Sequence, residues 1–131
     1  CHQEGIIHLD LKPENICFHS DKDFSIIDFE ASCVSNIKQI DYIVGTENYV
    51  APETLKGQIS PLSDAWSLGA TLFSIKTKEV HHNNMDILKT GKHHRLRNSF
   101  ADLCSRLLTV SLNDRLSVEN ALKHDFFQEQ S

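Results

Sequence analysis

The feature that most constrains the fold is the stretch PLSDAWSLGATLFSIK in the middle of the chain, over residues 61–76. Apolar residues occupy nearly every side of a helix drawn through residues 62–75, rather than one face. Such a helix needs neighbours all round, so we expect it in the middle of a core. Ser60 and Ser63 are the two candidate caps for its start.

Other segments predict the helices around this one. Residues 100–108 follow the i, i+3, i+4, i+7 spacing of an amphipathic helix, which places Cys104 on the apolar face. Ser117 is the expected cap of a last helix that runs to about Lys123. A weaker helix is predicted over about residues 84–89, with its end at Gly91.

The β-structure expected from the sequence is small. Residues 16–19 and 24–27 are short apolar runs on either side of a polar turn, which predicts a β-hairpin. Residues 28–50 lack periodicity and are predicted to form a long functional loop. Pro52 suits the first turn of a short helix that Gly57 can end. The pattern is that of a helical domain with one small hairpin.

Length, charge and cysteine usage limit the class of protein. The chain has 131 residues, which is one domain at most, and its net charge of −5 argues against a nucleic-acid or membrane footprint. Four widely spaced cysteines without a C-x-x-C pair predict reduced, mostly buried thiols in an intracellular protein. The first residue is Cys1 rather than methionine, which favours a piece of a longer chain.

The densest polar chemistry lies in HLDLKPEN, residues 8–15, where an aspartate, a lysine and an asparagine fall close together. Asp28 lies 18 residues beyond Asp10, after the predicted hairpin. Carboxylate and amide oxygens of this kind suit a hard cation such as Mg²⁺. Taken alone, the same residue types also suit an ordinary turn after a helix.

The histidine pairs at positions 81–82 and 93–94 offer a second metal hypothesis. Their spacing matches no familiar zinc finger and no cysteine lies nearby, so an exposed polar loop is favoured over a zinc site. Ser32 and Ser35, in the predicted loop, fit either phosphorylation sites or solvated loop residues.

Five motifs, in family order, resemble those of a eukaryotic-type serine/threonine protein kinase, C-terminal lobe only. The family's catalytic loop is similar to HLDLKPEN, its D-F-G to IIDFE, and the end of its activation segment to GTENYVAPE. The start of the central lobe helix resembles SDAWSLG, and the closing helices resemble NDRLSVENALKHDFF. One motif alone is weak, whereas the ordered set over nearly the whole chain is specific.

The resemblance implies roles in phosphoryl transfer, which needs a hydroxyl-orienting group, metal ligands and positive charge at the phosphoryl group. Asp10 resembles the catalytic aspartate, which orients the substrate hydroxyl and takes its proton. Lys12 resembles the lysine on the γ-phosphate of ATP and indicates serine/threonine specificity. Asn15 and Asp28 resemble the two Mg²⁺ ligands. Thr46 resembles the threonine that braces the catalytic aspartate and lysine.

The family pattern also implies structural contacts for four residues. Glu53 is expected to form a buried ion pair with Arg115, which would join the activation segment to the lower helices. Asp64 is expected to accept hydrogen bonds from the backbone of the catalytic loop, and Trp66 to pack in the core.

The sequence departs from the family at two motif positions. Leu9 stands in place of the arginine that receives the activation-loop phosphate, so a switch through that contact is not expected. The H-L-D form resembles the calmodulin-dependent group, in particular its myosin light-chain kinase branch. Glu30 replaces the glycine of D-F-G, which is expected to restrict the backbone and to add negative charge beside Asp28.

Parts of the family pattern have no counterpart in this sequence. No Gly-rich loop, strand lysine or helix glutamate precedes Cys1, and the segment before Arg115 looks about ten residues short. The predicted fold is therefore mainly α: a kinase-like C-lobe with one small β-hairpin and no N-terminal lobe, over residues 1–131.

Two functions remain as hypotheses. The first is a serine/threonine protein kinase fragment, inactive alone, whose parent chain transfers the γ-phosphoryl of ATP to protein, with ATP and Mg²⁺ held by the complete kinase. The second is an inactive pseudokinase or C-lobe mimic that acts as a protein-binding module. The expected partner is a protein substrate, or another kinase for a mimic, with no nucleic acid and no membrane. The expected location is the cytoplasm.

Overall fold

The computed structural model describes residues 1–81 and 98–128. The helices are α1 (Pro61–Thr77), α2 (Asn98–Leu107), α3 (Val118–Ala121) and α4 (Asp125–Gln128). The strands are β1 (Ile6–Ile7), β2 (Ile16–Ser20), β3 (Asp23–Ile26) and β4 (Cys33–Val34), with short 3-10 turns at His2–Glu4, Pro13–Asn15 and Thr54–Lys56. The helix predicted over residues 84–91 lies outside the described residues.

Helix α1 begins where the sequence predicted and uses both candidate caps. The Ser60 hydroxyl accepts from the amide of Leu62 at 3.2 Å, and the Ser63 hydroxyl accepts from the amide of Ser60 at 3.1 Å. This reciprocal capping box satisfies amides that the first helical turn leaves unpaired. The central part of the helix is buried, which confirms the predicted core position. The last turn departs from it, because Ile75 is 48% exposed.

Helix α2 packs against α1 through the apolar face that its periodicity predicted. The buried residues on this face include Phe100, Leu103, Cys104 and Leu107. Burial raises the pKa of the Cys104 thiol to about 12, because the apolar surroundings disfavour the charged thiolate.

The two helices approach most closely at Gly69 of α1. A Cβ atom at this position would lie 2.8 Å from Leu107 Cβ and 3.0 Å from Leu108 Cγ. Real contacts of this type are longer, so the α1–α2 packing requires the absence of a side chain here.

Replacement of Gly69 by alanine is expected to destabilise the fold by about 1–3 kcal/mol through overpacking. The direction of the change in stability is informative, because replacement of glycine by alanine in a helix interior otherwise stabilises a protein by about 1 kcal/mol. Urea denaturation measures the difference, with Lys76→Ala on the exposed end of the same helix as control. An unchanged or raised unfolding midpoint for Gly69→Ala would contradict the close packing.

The C-terminal helices differ from the single helix that was predicted. Ser117 caps α3 as expected, with its hydroxyl 3.1 Å from the amide of Asn120. The helix then ends at Ala121, and α4 follows as a separate short helix. The ring of Phe126 in α4 packs edge-on against Phe100 at 5.4 Å between centroids. This tertiary contact positions α4 against α2, and local periodicity cannot predict it.

Two small antiparallel sheets accompany the helices. The predicted hairpin is present as β2 and β3, with Phe18 opposite Phe24. The second sheet was not predicted: β1 pairs with β4, so that Ile6 faces Val34 and Ile7 faces Cys33. Each of these strands has two residues, which is too short to show the alternation that reveals a strand.

The cysteines are all free thiols, but the expectation that most are buried is wrong. Cys104 is buried, Cys1 is exposed, and Cys17 and Cys33 are partly exposed. Within residues 1–81 and 98–128, no helix has the length and apolar character needed to cross a bilayer.

Candidate active site

Three of the predicted site residues meet through their side chains. The ammonium group of Lys12 donates to the Thr46 hydroxyl at 2.9 Å, and that hydroxyl donates to Asp10 Oδ1 at 2.5 Å. The predicted bracing by Thr46 is therefore confirmed. The second oxygen of Asp10, Oδ2, lies 3.8 Å from Lys12 Nζ, beyond hydrogen-bond range. One carboxylate oxygen is thus held in place, while the other keeps acceptor capacity for an incoming hydroxyl.

His8 connects this loop to the segment that carries Asp28. Its Nδ1 accepts from the amide of Asp10 at 3.1 Å, so the ring proton resides on Nε2, which donates to the Ile27 carbonyl at 2.9 Å. The ring also packs edge-on against Phe29, with 4.7 Å between centroids. His8 therefore holds the residues on both sides of Asp28. Sequence reasoning gave it no role, although it opens the HLDLKPEN motif.

Asp64 in α1 anchors the same loop from below, as predicted. Its buried carboxylate accepts from the amides of His8 and Leu9 at 2.8 and 2.9 Å. A third contact, from His2 Nε2 at 2.8 Å, was not foreseen. Because α1 is a rigid core element, these bonds fix the backbone immediately before Asp10.

The two predicted metal ligands lie on neighbouring chain segments. The Ile27 amide donates to the Asn15 carbonyl at 2.9 Å, which places Asp28 one residue beyond a direct backbone contact with Asn15. The side chain of Asn15 is buried, and its amide nitrogen donates to the Asp10 carbonyl at 2.8 Å. That bond uses an amide proton and does not involve the amide oxygen. Amide and carboxylate oxygens are donor types that fit Mg²⁺.

The backbone at Glu30 adopts an ordinary conformation. The left-handed conformation falls on Asp28, with φ of 61°, and not on Glu30. Glycine's conformational freedom is therefore not needed at position 30, and a glutamate fits there without strain. Its exposed side chain still adds negative charge close to Asp28, whose Oδ1 accepts from the Glu30 amide at 3.3 Å.

The predicted ion pair between Glu53 and Arg115 is present and bidentate. The two N–O distances are 2.6 and 2.9 Å, and the Arg115 side chain is fully buried. Arg115 also donates to the carbonyls of Leu62 and Thr109, and it lies 5.1 Å over the ring of Trp66. Trp66 is 1% exposed, as predicted. This network ties the segment that follows Thr46 to the helical core.

The exposed polar loop expected for the histidine pairs is wrong at His81. His81 is buried, and its ring lies edge-on to Trp66 and Phe73, at 5.9 Å from each. The other three histidines of the two pairs lie outside the described residues. Among residues 1–81 and 98–128, no three His, Cys, Asp or Glu side chains group as a metal site.

Comparison with known proteins agrees with this geometry. The family model for the protein kinase domain matches residues 1–127. The chain therefore belongs to the protein kinase family.

Curated relatives are serine/threonine and calcium-dependent kinases by name. Calcium-dependent protein kinase 5 of Plasmodium falciparum (isolate 3D7) is 32% identical over 98% of this chain and 26% of that protein. CBL-interacting serine/threonine-protein kinase 20 of Arabidopsis thaliana is 31% identical over 98% of this chain and 33% of that protein. Serine/threonine-protein kinase ppk6 of Schizosaccharomyces pombe is 30% identical over 98% of this chain and 17% of that protein. The chain thus spans a third or less of these relatives.

Proposed function

We propose that the chain is the C-terminal lobe of a serine/threonine protein kinase, present as one partial kinase domain over residues 1–131. The complete kinase transfers the γ-phosphoryl of ATP to a serine or threonine of a protein substrate. The relatives support this, as does the order of the motifs. The H-L-D and G-T-x-x-Y-V-A-P-E patterns favour the calmodulin-dependent group.

The observation that carries the proposal is the chain of hydrogen bonds from Lys12 through Thr46 to Asp10. With Oδ1 held by Thr46, Asp10 presents Oδ2 to the substrate hydroxyl, orients it for attack and accepts its proton. Lys12 stands close enough to place its positive charge on the transferring phosphoryl group. A protein-binding module has no chemical need for this arrangement, which favours the enzyme over the mimic.

Asn15 and Asp28 are the residues that would hold Mg²⁺, and the ion would supply positive charge to the phosphate oxygens. Asn15 contributes an amide oxygen oriented by its bond to the Asp10 carbonyl. Asp28 would contribute a carboxylate that His8 holds indirectly, through Ile27 and Phe29.

We also propose that the protein acts in the cytoplasm, with a protein substrate as its partner.

Replacement of Lys12 by methionine tests the function in the full-length protein. Transfer of labelled phosphate from Mg²⁺-ATP to a serine/threonine peptide library is expected in the wild type, and a loss of about 10²-fold in the variant. Lys22→Met, in the exposed hairpin turn, is the matched control and should leave the rate unchanged. Equal rates for Lys12→Met and wild type would remove Lys12 from the mechanism.

ATP binding and phosphate transfer, measured separately, distinguish the kinase from the mimic. We expect the polypeptide of residues 1–131 alone to bind no ATP in calorimetry, because the family holds adenine and the α- and β-phosphates with its other lobe. Micromolar ATP affinity that Asp28→Ala abolishes would overturn this expectation. A full-length wild type that transfers no phosphate but binds another kinase would establish the mimic.

A further inference from the structure

Next to the candidate site lies an apolar cluster, the Leu9 cluster, to which four stretches of chain contribute. Its buried members are Ile7, Leu9, Val44 and Ile59, with Ala31, Cys33 and Ile40 packed against them. All of these side chains are uncharged. Leu9 is 4% exposed although it stands next to a catalytic candidate on a loop. The loop that carries Asp10 therefore packs on an apolar, buried cluster.

The backbone conformation of Leu9 is held in place by its surroundings. Leu9 has φ of 67°, in the left-handed region that a branched side chain rarely adopts. Its amide is held by Asp64 Oδ1 at 2.9 Å. Such a conformation persists only where the surroundings over-determine it. The anchored amide and the buried side chain together supply that constraint and set the direction in which the chain leaves toward Asp10.

A second stretch of chain leaves the same cluster toward the same site. Val44 is buried in the cluster, and Gly45 follows with φ of 95°. A Cβ atom on Gly45 would lie 3.2 Å from the Leu9 carbonyl oxygen and 2.9 Å from Val50 Cγ2. The chain after Val44 therefore passes directly against the backbone of Leu9. The next residue is Thr46.

The segments that follow Leu9 and Val44 also contact each other at Asp10 and Thr46. Leu9 precedes Asp10, and Val44 lies two residues before Thr46, whose hydroxyl donates to Asp10 Oδ1 at 2.5 Å. Hydrogen bonds weaken steeply with length and misalignment. A change in the packing of the Leu9 cluster would therefore shift the hydrogen bond from Thr46 that orients the carboxylate.

We propose that Leu9 is a positioning residue, whose packing in the Leu9 cluster sets the register between the segments carrying Asp10 and Thr46. This inference rests on the proposed function, since its effect is on turnover. It differs from a merely structural role, because it predicts a specific effect on the Asp10–Thr46 contact.

The test compares two leucine truncations in the full-length protein. Leu9→Ala and Leu103→Ala both remove a buried leucine side chain, and Leu103, 0% exposed in α2, packs in a separate cluster. At a temperature where both are folded, Leu9→Ala is expected to lower kcat about tenfold or more, with KM for ATP unchanged. Leu103→Ala should keep kcat at the wild-type value. Equal kcat for the two variants would overturn the proposal.

Two further variants identify the route. If Leu9 acts through Thr46, Leu9→Ala should lower kcat less than twofold in a Thr46→Ala background, and independent effects would contradict this route. Leu9→Met keeps the volume and is expected to restore at least half of the wild-type kcat. Should Leu9→Ala fail to fold, Val44→Ala, a truncation in the same cluster, carries the same comparison.

Amide hydrogen exchange provides a readout that needs no activity. The amides of Tyr49 and Val50 both donate to the Thr46 carbonyl at 3.0 Å, so they report on its segment. Leu9→Ala should accelerate their exchange several-fold relative to Leu103→Ala. Unchanged exchange would overturn the proposal. A wild type without phosphate transfer would overturn the proposed function instead, while the exchange result still decides whether Leu9 sets the Thr46 segment.

Discussion

If the proposed function holds, replacement of Asp10 by asparagine is expected to lower kcat of the full-length protein by about 10²–10⁴-fold, the range for removal of a positioned acid–base group. Asparagine keeps the shape of the side chain and an oxygen to accept from Thr46, so the fold should be unaffected. It cannot accept the proton of the substrate hydroxyl. The measurement is kcat under saturating ATP, together with a thermal melt of both forms.

The control for this change is Asp21→Asn, the same substitution in the exposed turn of the hairpin. Its kcat and melting temperature should equal those of the wild type. An Asp10→Asn enzyme with wild-type turnover would show that another group takes the proton. A large drop in melting temperature would instead assign Asp10 a structural role.

Replacement of Arg115 by methionine is expected to destabilise the fold by about 3–5 kcal/mol. The change leaves the carboxylate of Glu53, itself 8% exposed, without its charged partner, and it removes the donor to the Leu62 carbonyl. For a domain of this size we expect the melting temperature to fall by about 10–20 °C. Thermal or urea denaturation measures the loss.

Helix α2 offers a matched exposed pair. Arg106 lies 2.9 Å from Asp102, but the two side chains are 61% and 43% exposed. Partial burial acts to raise the pKa of Asp102, yet the hydrogen bond from His124 and the nearby charge of Arg106 hold it below its usual value. Arg106→Gln should cost no more than about 0.5 kcal/mol, because water screens the pair. Comparable losses for Arg115→Met and Arg106→Gln would show that burial does not determine the strength of the Glu53–Arg115 pair.

A double variant tests the origin of the Arg115 effect. In Glu53→Gln/Arg115→Met no unpaired charge remains, so the combined loss should be smaller than the sum of the two single losses. Simple additivity would indicate that the two side chains act independently, which the bidentate contact at 2.6 and 2.9 Å argues against.

Much of the site could be predicted because its residues occur in ordered motifs. The motif order identified Asp10, Lys12 and Thr46, and the structure brings these three together. The same order predicted the Glu53–Arg115 pair and the contact from Asp64 to the loop. These predictions succeed because a motif carries the geometry of the family as well as its chemistry.

Contacts that depend on single side chains in unremarkable positions were not predicted. His8 and His2 both hold the catalytic loop: His8 opens the HLDLKPEN motif but was given no role, and His2 has no pattern that distinguishes it from a solvated histidine. The β1–β4 sheet was missed because two residues are too few for a period to show. For the same reason local pattern gave one C-terminal helix after Ser117, and only the resemblance of residues 113–127 implied more than one.

Local sequence signals were enough to predict the longer helices and the chemical groups of the site. An apolar run defines α1 and hydrophobic period defines α2, while the capping residues Ser60 and Ser117 mark the starts of α1 and α3, because these signals act over a few neighbouring residues. The types of functional group, two aspartates, an asparagine, a lysine and a threonine, are equally local facts.

The contacts of these groups depend on how distant segments pack in the fold. The tertiary structure placed Leu9 under the loop in a left-handed conformation, assigned the left-handed position to Asp28 rather than Glu30, and left Cys1 exposed while Cys104 is buried. These outcomes depend on segments tens of residues apart. Long-range packing and burial set them, and no local pattern encodes which distant surface will cover a given side chain.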